Sequence, residues 1–588
     1  MSTDILLVNL PPHESYYADK VPHLGMLYVM TSLSEHGYTV GYLDCAERGV
    51  RRDQIIGKIR EAAPRMVGFS IDTDNLFSAG NMSRTLKREF GDDLKIIFGG
   101  PASQGQPDEI MRRSAADVLV IGEGEYTARE VADSLLRGAG PLGEVEGICY
   151  RDGDGLVYTK ARQPIDDLDA LPFPDYRFLA NPLDYKPAII SGRGCPFKCT
   201  FCFEGRMGNR YRHRSPENIV AEIEKLVELY GPVYISINDD TFTSNPKHAL
   251  QVCDLLKKRF RPRKDLLWFA EVRVDVVRRY PELVDAMVES GAGRIQIGVE
   301  SGDEEILRAY KRLNVKPHVV EDVVGRFHRA GLPSIYCGFI AGGPGETPQT
   351  LETTLTFAKR LATEIAPGSF ECFASFLTPL AGTEIREHPD RFDVRILDPD
   401  LLTSSNFNFP VTETATLSRA DINNFRWRFI EEVDQAICST IPKLPRGALV
   451  THADINRRFG VTTAYFDRFD RFPRLREYLK MVGAGGLEAG DELSDDDLLA
   501  RYPTRITAQT HMREETLSVL GGPTSLTLNG LGARVYALCS GKLSGAEIVE
   551  HLTRELEGTG VSQAAITKDV VEFLRDLDNN YAVMFKDF

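Results

Sequence analysis

Through the first 150 residues, short apolar and β-branched runs alternate with longer stretches whose apolar positions recur at helical spacing. The runs ILLVNL (5–10), TVGYLD (39–44), MVGFS (66–70), KIIFGG (95–100) and VLVIGEGE (118–125) predict strands. LGMLYVMTSLSEHG and NMSRTLKREFG predict helices that stop at glycine. This alternation predicts an α/β domain over 1–150, a doubly wound parallel sheet whose ligand sits beyond the strands' carboxyl ends. Those ends carry Asn9–Pro12, Ser70–Thr73, Gly99–Pro101 and Gly122–Glu125, four loops of small and polar residues suited to a large, flat ligand.

A proline-rich connector, DLDALPFPDYRFL, lies within a linker at 151–185. A second β/α series follows over 186–395, with strand-like AIISGRG, VYISIND, LWFAEVRVD, RIQIGVESG, SIYCGFIAGG and SFECFASFLTPL. Six such units predict a partial (β/α) barrel with its site at the strands' carboxyl ends. Residues 396–502 read as a mixed helical extension. The stretch 503–588 opens on strand-like RITAQTH and TLSVL and continues into helices, a small α+β domain.

Composition narrows the class. Of 588 residues 42% are hydrophobic and 26% charged, which is ordinary for a globular protein. The net charge of −15 argues against nucleic acid as partner. Neither a secretory leader pattern nor a run of about 18 apolar residues occurs, so no membrane partner and a cytoplasmic location are expected. Ten cysteines in a chain this long are not a disulfide framework; seven stand singly, and the other three fall within eight residues.

Those three, Cys195, Cys199 and Cys202, lie in GRGCPFKCTFC. Three thiolates so close can ligate three irons of a cubane and leave the fourth open. Structural zinc takes four protein ligands, and no second Cys/His pair lies at the usual distance. A redox CxxC is the remaining alternative. The string resembles the radical S-adenosylmethionine (SAM) superfamily, whose CxxxCxxC motif follows the first barrel strand and carries an aromatic, here Phe201, before its third cysteine.

The resemblance implies a 4Fe-4S cluster held by Cys195, Cys199 and Cys202, with SAM chelating the open iron. It further implies SAM-binding roles for Asp239 and Asp240 at the second strand's end, for Glu271 and Arg273 in FAEVRVD, and for Ser301 in ESG. Gly342 and Gly343 of GFIAGGPGET would lie against adenine, and an external flavodoxin- or ferredoxin-like electron donor is implied.

VNLPP, HLGMLYVMTSL, VGFS, FGGP, VIGEGE and LPFPDY together resemble the cobalamin-binding radical SAM class over roughly 1–390. Cobalamin would then meet Ser70, Asp72, Thr73, Gly99, Gly100, Gly122, Glu123 and Gly124. The chain lacks GxGxxG and P-loop motifs in its first β/α turn, and also the DxHxxG that supplies a histidine to cobalt. His13 and His23 lie in the first loop without an assigned role. SLTLNGLGARVYALCSGKLSGAEIVEHLTREL resembles the winged-helix-like peptide-chaperone domain of pyrroloquinoline quinone biosynthesis, implying recognition of a peptide.

Together these resemblances imply a C-methyltransferase moving a methyl group from SAM, via methylcobalamin, to a peptide or amino-acid-derived intermediate of natural-product biosynthesis. Two alternatives stay open: a rearrangement or cyclisation without methyl transfer, and a non-catalytic peptide-binding scaffold. No catalytic side chain is singled out, and the oligomeric state is not specified by the sequence.

Overall fold

A computed structural model describes residues 3–10, 20–45, 50–73, 75–204, 210–311, 315–397, 409–485, 493–506, 510–513, 516–519 and 526–586. Pro11, Pro12 and His13 of the first loop, and 507–509 of RITAQTH, lie outside the described residues. The chain divides into two units. The first takes in Met1–Arg360 and Cys372–Glu432, the second Leu361–Glu371 and Val433–Phe588. Among the described residues no helix is long and apolar enough to cross a membrane.

In the first unit, β1 (Ile5–Asn9), β2 (Val40–Asp44), β3 (Met66–Ser70), β4 (Lys95–Gly99) and β5 (Val118–Val120) are laid out as β2-β1-β3-β4-β5, all parallel. Helices cover both faces, which is why the inner runs are largely apolar: Val8, Val67, Phe69, Ile96, Phe98 and Leu119 share one core, while edge strand β2 is half-buried throughout. The sheet goes on through an antiparallel hairpin, β6 (Ile148–Asp152) and β7 (Gly155–Tyr158). Both strands are short and half-exposed beyond Cys149, so neither gives a sustained apolar period.

The barrel begins with two-residue β8 (Ala188–Ile189), followed by a hairpin of β9 (Gly192–Arg193) and β10 (Arg212–His213) that encloses the cysteines. Then come β11 (Val233–Ile237), β12 (Leu266–Val272), β13 (Ala292–Glu300), β14 (Ser334–Ala341) and β15 (Phe370–Phe376). Their order is β8-β11-β12-β13-β14-β15, with parallel pairing from β8 through β14. Along β12, fully buried residues alternate with half-buried ones. The former pack under the helices and the latter line the lumen, as a strand's period of two requires. Register sets Glu271 beside Gln296, and Gln296 beside Tyr336.

The second unit is mainly helical up to Ala500. Beyond it, Thr510–Arg513, Thr516–Val519 and Leu526–Leu528 form a three-stranded antiparallel sheet. Helices Gly530–Leu538, Gly545–Glu555 and Gln563–Asn579 follow, capped by the side chains of Asn529, Ser544 and Ser562. Val535, Ile548, Leu552, Val570 and Leu574 pack into their common core. The last strand, Val583–Lys586, pairs with Tyr502–Arg505.

Candidate active site

The carboxyl ends of the first sheet open onto a cavity of about 780 Å³. Ser70, Gly99, Gly100, Gly122, Glu123 and Gly124 line it from the sheet; Gly192, Arg193, Gly194, Asn238 and Asp240 line it from the barrel. Small residues keep the sheet rim low. Gly100 adopts φ +98°, and a Cβ there would meet Ser70 Oγ at 2.6 Å and the Ile71 amide nitrogen at 2.7 Å. Gly100→Ala is therefore expected to cost roughly 1–3 kcal/mol in backbone strain and to raise a side chain into the rim. Thermal melting and hydroxocobalamin absorbance titration would measure both effects.

His23 also lines the cavity, and its Nδ1 accepts the Met26 amide, capping the helix that starts at Leu24. Burial lowers its pKa and keeps the ring neutral, so Nε2 carries the proton. Asp72 and Asn75 exchange hydrogen bonds within the loop after β3, so these side chains shape the rim. Asp72 and Thr73 are not among the cavity-lining residues.

Glu123 does not face the cavity as an isolated charge. Arg193 donates to it at 2.9 Å, Arg212 reaches both of its oxygens at 3.0 Å, and the Ile165 amide donates at 2.5 Å. Burial opposes its charge, but the hydrogen bonds from Arg212 and Arg193 prevail and hold the carboxyl below its ordinary value. Arg193 also reaches Glu125, and its guanidinium stands over the Tyr28 ring.

The ten cysteines form no disulfide. Cys199 is buried, and Cys195 and Cys202 are half-buried. The loop carrying them is fastened by Thr200, whose amide donates to Tyr310 O at 2.8 Å and whose hydroxyl bonds Ala309 O at 3.0 Å. Among the described residues no three His, Cys, Asp or Glu side chains already converge in metal-holding geometry. The donor set nonetheless suits a cluster: three thiols share one anchored loop, and Arg273 Nη1 lies 3.6 Å from Cys199 Sγ. Arg273 packs over the Phe197 ring at 3.7 Å and pairs with Asp275, while its buried Nη2 has no partner among the described residues. That orphan donor suits an anionic ligand beside the cluster loop.

Asp239 and Asp240 separate in role. Asp239 accepts the Ser191 amide at 2.6 Å, the Gly192 amide at 3.0 Å and the Ser191 hydroxyl. Burial raises its pKa to about 6 against the pull of those hydrogen bonds. Asp240 reaches the cavity. Glu271 accepts from Gln296 at 3.1 Å, and burial, reinforced by the charges of Asp240 and Glu300, raises it to about 7. Ser301 shares a hydrogen bond with Thr354 at 2.9 Å. The Gly342 and Gly343 amides both donate to buried Glu346, which burial raises to about 7.

The cavity-lining residues that sequence reasoning missed include Arg193, Arg212, Glu204 and Tyr28, and burial raises the Glu204 carboxyl to about 7. Arg193 and Arg212 had one readable signal, their position at the two ends of the cysteine-bearing segment.

Three family patterns match the chain: the Radical SAM superfamily over residues 189–358, the B12 binding domain over 16–132, and coenzyme PQQ synthesis protein D over 517–583. An uncharacterized methyltransferase, PH0819, of Pyrococcus horikoshii is 30% identical over 397 residues, 65% of this chain and 82% of that protein. The anaerobic magnesium-protoporphyrin IX monomethyl ester cyclase of Cereibacter sphaeroides is 28% identical over 424 residues, 69% of this chain and 66% of that protein. Among solved structures, the radical SAM methyltransferase TsrM of Kitasatospora setae, with cobalamin and a 4Fe-4S cluster bound, shares the fold. Its TM-score is 0.60 at 18% identity, over 82% of this chain and 100% of that one.

Proposed function

Because this chain belongs to the radical SAM superfamily and joins that barrel to a B12 binding domain, we propose that it is a C-methyltransferase. Its substrate would be a peptide or an amino-acid-derived intermediate. Its cofactors are a 4Fe-4S cluster, SAM and cobalamin. When bound, the cluster supplies the electron that cleaves SAM, and cobalamin supplies a methyl carrier.

One observation carries the reading: a single cavity is lined both by the low glycine rim of the first sheet and by the barrel loops next to the cysteines. Cys195, Cys199 and Cys202 would hold the cluster. Arg273, whose Nη1 lies beside Cys199 and whose Nη2 has no partner among the described residues, would orient the carboxylate of SAM. Gly99, Gly100 and Gly122 would let a broad macrocycle approach the sheet backbone. The protein's contribution is then to align three reactants and to keep water out. The terminal domain, matched by the PQQ synthesis protein D pattern, supports a peptide substrate. The cyclase relative supports a second reading, a cyclisation with no methyl transferred. An external electron-transfer protein of the flavodoxin or ferredoxin kind would reduce the cluster.

Anaerobic incubation with methyl-deuterated SAM, hydroxocobalamin, reductant and candidate peptides separates these readings. The expected product carries the whole deuterated methyl group on carbon. Turnover of SAM to deoxyadenosine with an unlabelled, altered product would replace the methylase by the cyclisation reading.

A further inference from the structure

The three cysteines sit in the segment between β9 and β10, and the ladder closing that segment pairs Arg193 directly with Arg212. Two cations facing each other across a strand pair repel. Both are largely withdrawn from water, with side chains 16% and 6% exposed, so solvent screens them little. The stem of the cysteine loop therefore needs an anion to close it.

That anion comes from the other sheet. Glu123, 70 and 89 residues away along the chain, bonds both arginines at once, and Glu125 adds a second contact to Arg193. Arg212 also donates to Ile165 O, tying the stem to the connector. Glu123 follows Gly122, a cavity-lining residue at φ +92°, and precedes Gly124, which lines the cavity too. A ligand resting on this loop thus touches the segment that closes the cysteine loop.

We propose that Glu123 is a positioning residue: it clamps both stems of the cysteine loop, so that occupancy of the cobalamin rim sets the geometry in which the cluster loop receives SAM. This rests on the cofactor assignment above. It predicts that hydroxocobalamin and SAM bind with positive coupling, and that the coupling runs through Glu123, Arg193 and Arg212. Linkage makes the effect reciprocal.

The test uses the full chain with reconstituted cluster, titrated with SAM and followed by the electron paramagnetic resonance of the reduced cluster, with and without hydroxocobalamin. Wild type is expected to bind SAM about tenfold more tightly when cobalamin is present. In Glu123→Gln the two titrations should coincide within about twofold, because the neutral amide cannot offset two guanidinium charges. Arg212→Lys keeps the charge but loses the fork that spans both Glu123 oxygens, and should show intermediate coupling. It also supplies the reading if Glu123→Gln fails to retain iron. SAM affinity independent of cobalamin in wild type, or full coupling surviving in the variants, would overturn the clamp. If wild type binds no iron and no cobalamin, the cofactor assignment itself fails, which is a separate result.

Discussion

Cys199→Ala protein, reconstituted anaerobically, is expected to fall from about four irons per chain to near background and to lose SAM cleavage entirely. In the proposed site the cubane would depend on three thiolates from one loop, and Cys199 is the buried member, next to the Arg273 guanidinium. With two ligands left, only two of the four irons keep a protein thiolate. The fold should survive, because Thr200 still anchors the loop to Tyr310 and Ala309 through groups the substitution does not touch. Cys372→Ala is the control: this cysteine lies in β15, outside the cysteine-bearing loop, and its loss should leave iron and sulfide content unchanged. Iron retained by Cys199→Ala at the wild-type level would remove the cysteine triad from the site.

Asp239→Ala is expected to destabilise the protein by about 3 kcal/mol, because it leaves the buried Ser191 and Gly192 amides and a hydroxyl without their acceptor. A shift of the melting midpoint on the order of 3 °C corresponds to that loss in a unit of this size. Asp239→Asn should behave quite differently. Its remaining oxygen can still accept both amides, and its NH2 can donate to the Ser191 hydroxyl. If Asp239 serves this turn, Asn keeps both stability and the SAM titration midpoint of wild type. If its charge instead meets the amine of SAM, Asn weakens SAM binding as much as Ala does.

The same residue has a pH signature. Burial lifts its folded pKa from 3.8 to about 6, so the folded state holds the proton more tightly than the unfolded one. Its contribution is fully present below the unfolded value and is lost as pH rises through about 6, a change of roughly 3 kcal/mol at alkaline pH. The stability of Asp239→Asn should therefore fall less between pH 4 and pH 7 than that of wild type, as chemical denaturation at several pH values would show.

Much of this was legible in one dimension. The strands β1, β3, β4 and β5 announce themselves because helices bury both of their faces, leaving apolar runs such as ILLV (5–8). The β6–β7 hairpin did not, since its residues beyond Cys149 are half-exposed or exposed. The cysteine triad was readable because the proposed cluster ligation depends on spacing within eight residues, a local quantity. The candidates at later strand ends were readable only as positions. Asp240 lines the cavity, whereas Asp239 and Ser301 are engaged by neighbouring protein groups.

The sequence by itself determined the two β/α series, the three thiols between them and the family those patterns imply. Only the tertiary structure decided which charges meet. Glu123 reads as one acid in a glycine loop, and Arg193 and Arg212 as two bases flanking cysteines; nothing in their local spacing couples them. Periodicity and ligand spacing are fixed within a few residues of chain. An ion pair spanning 89 residues depends instead on where the rim of one sheet comes to rest against the loops of the next, and packing alone sets that.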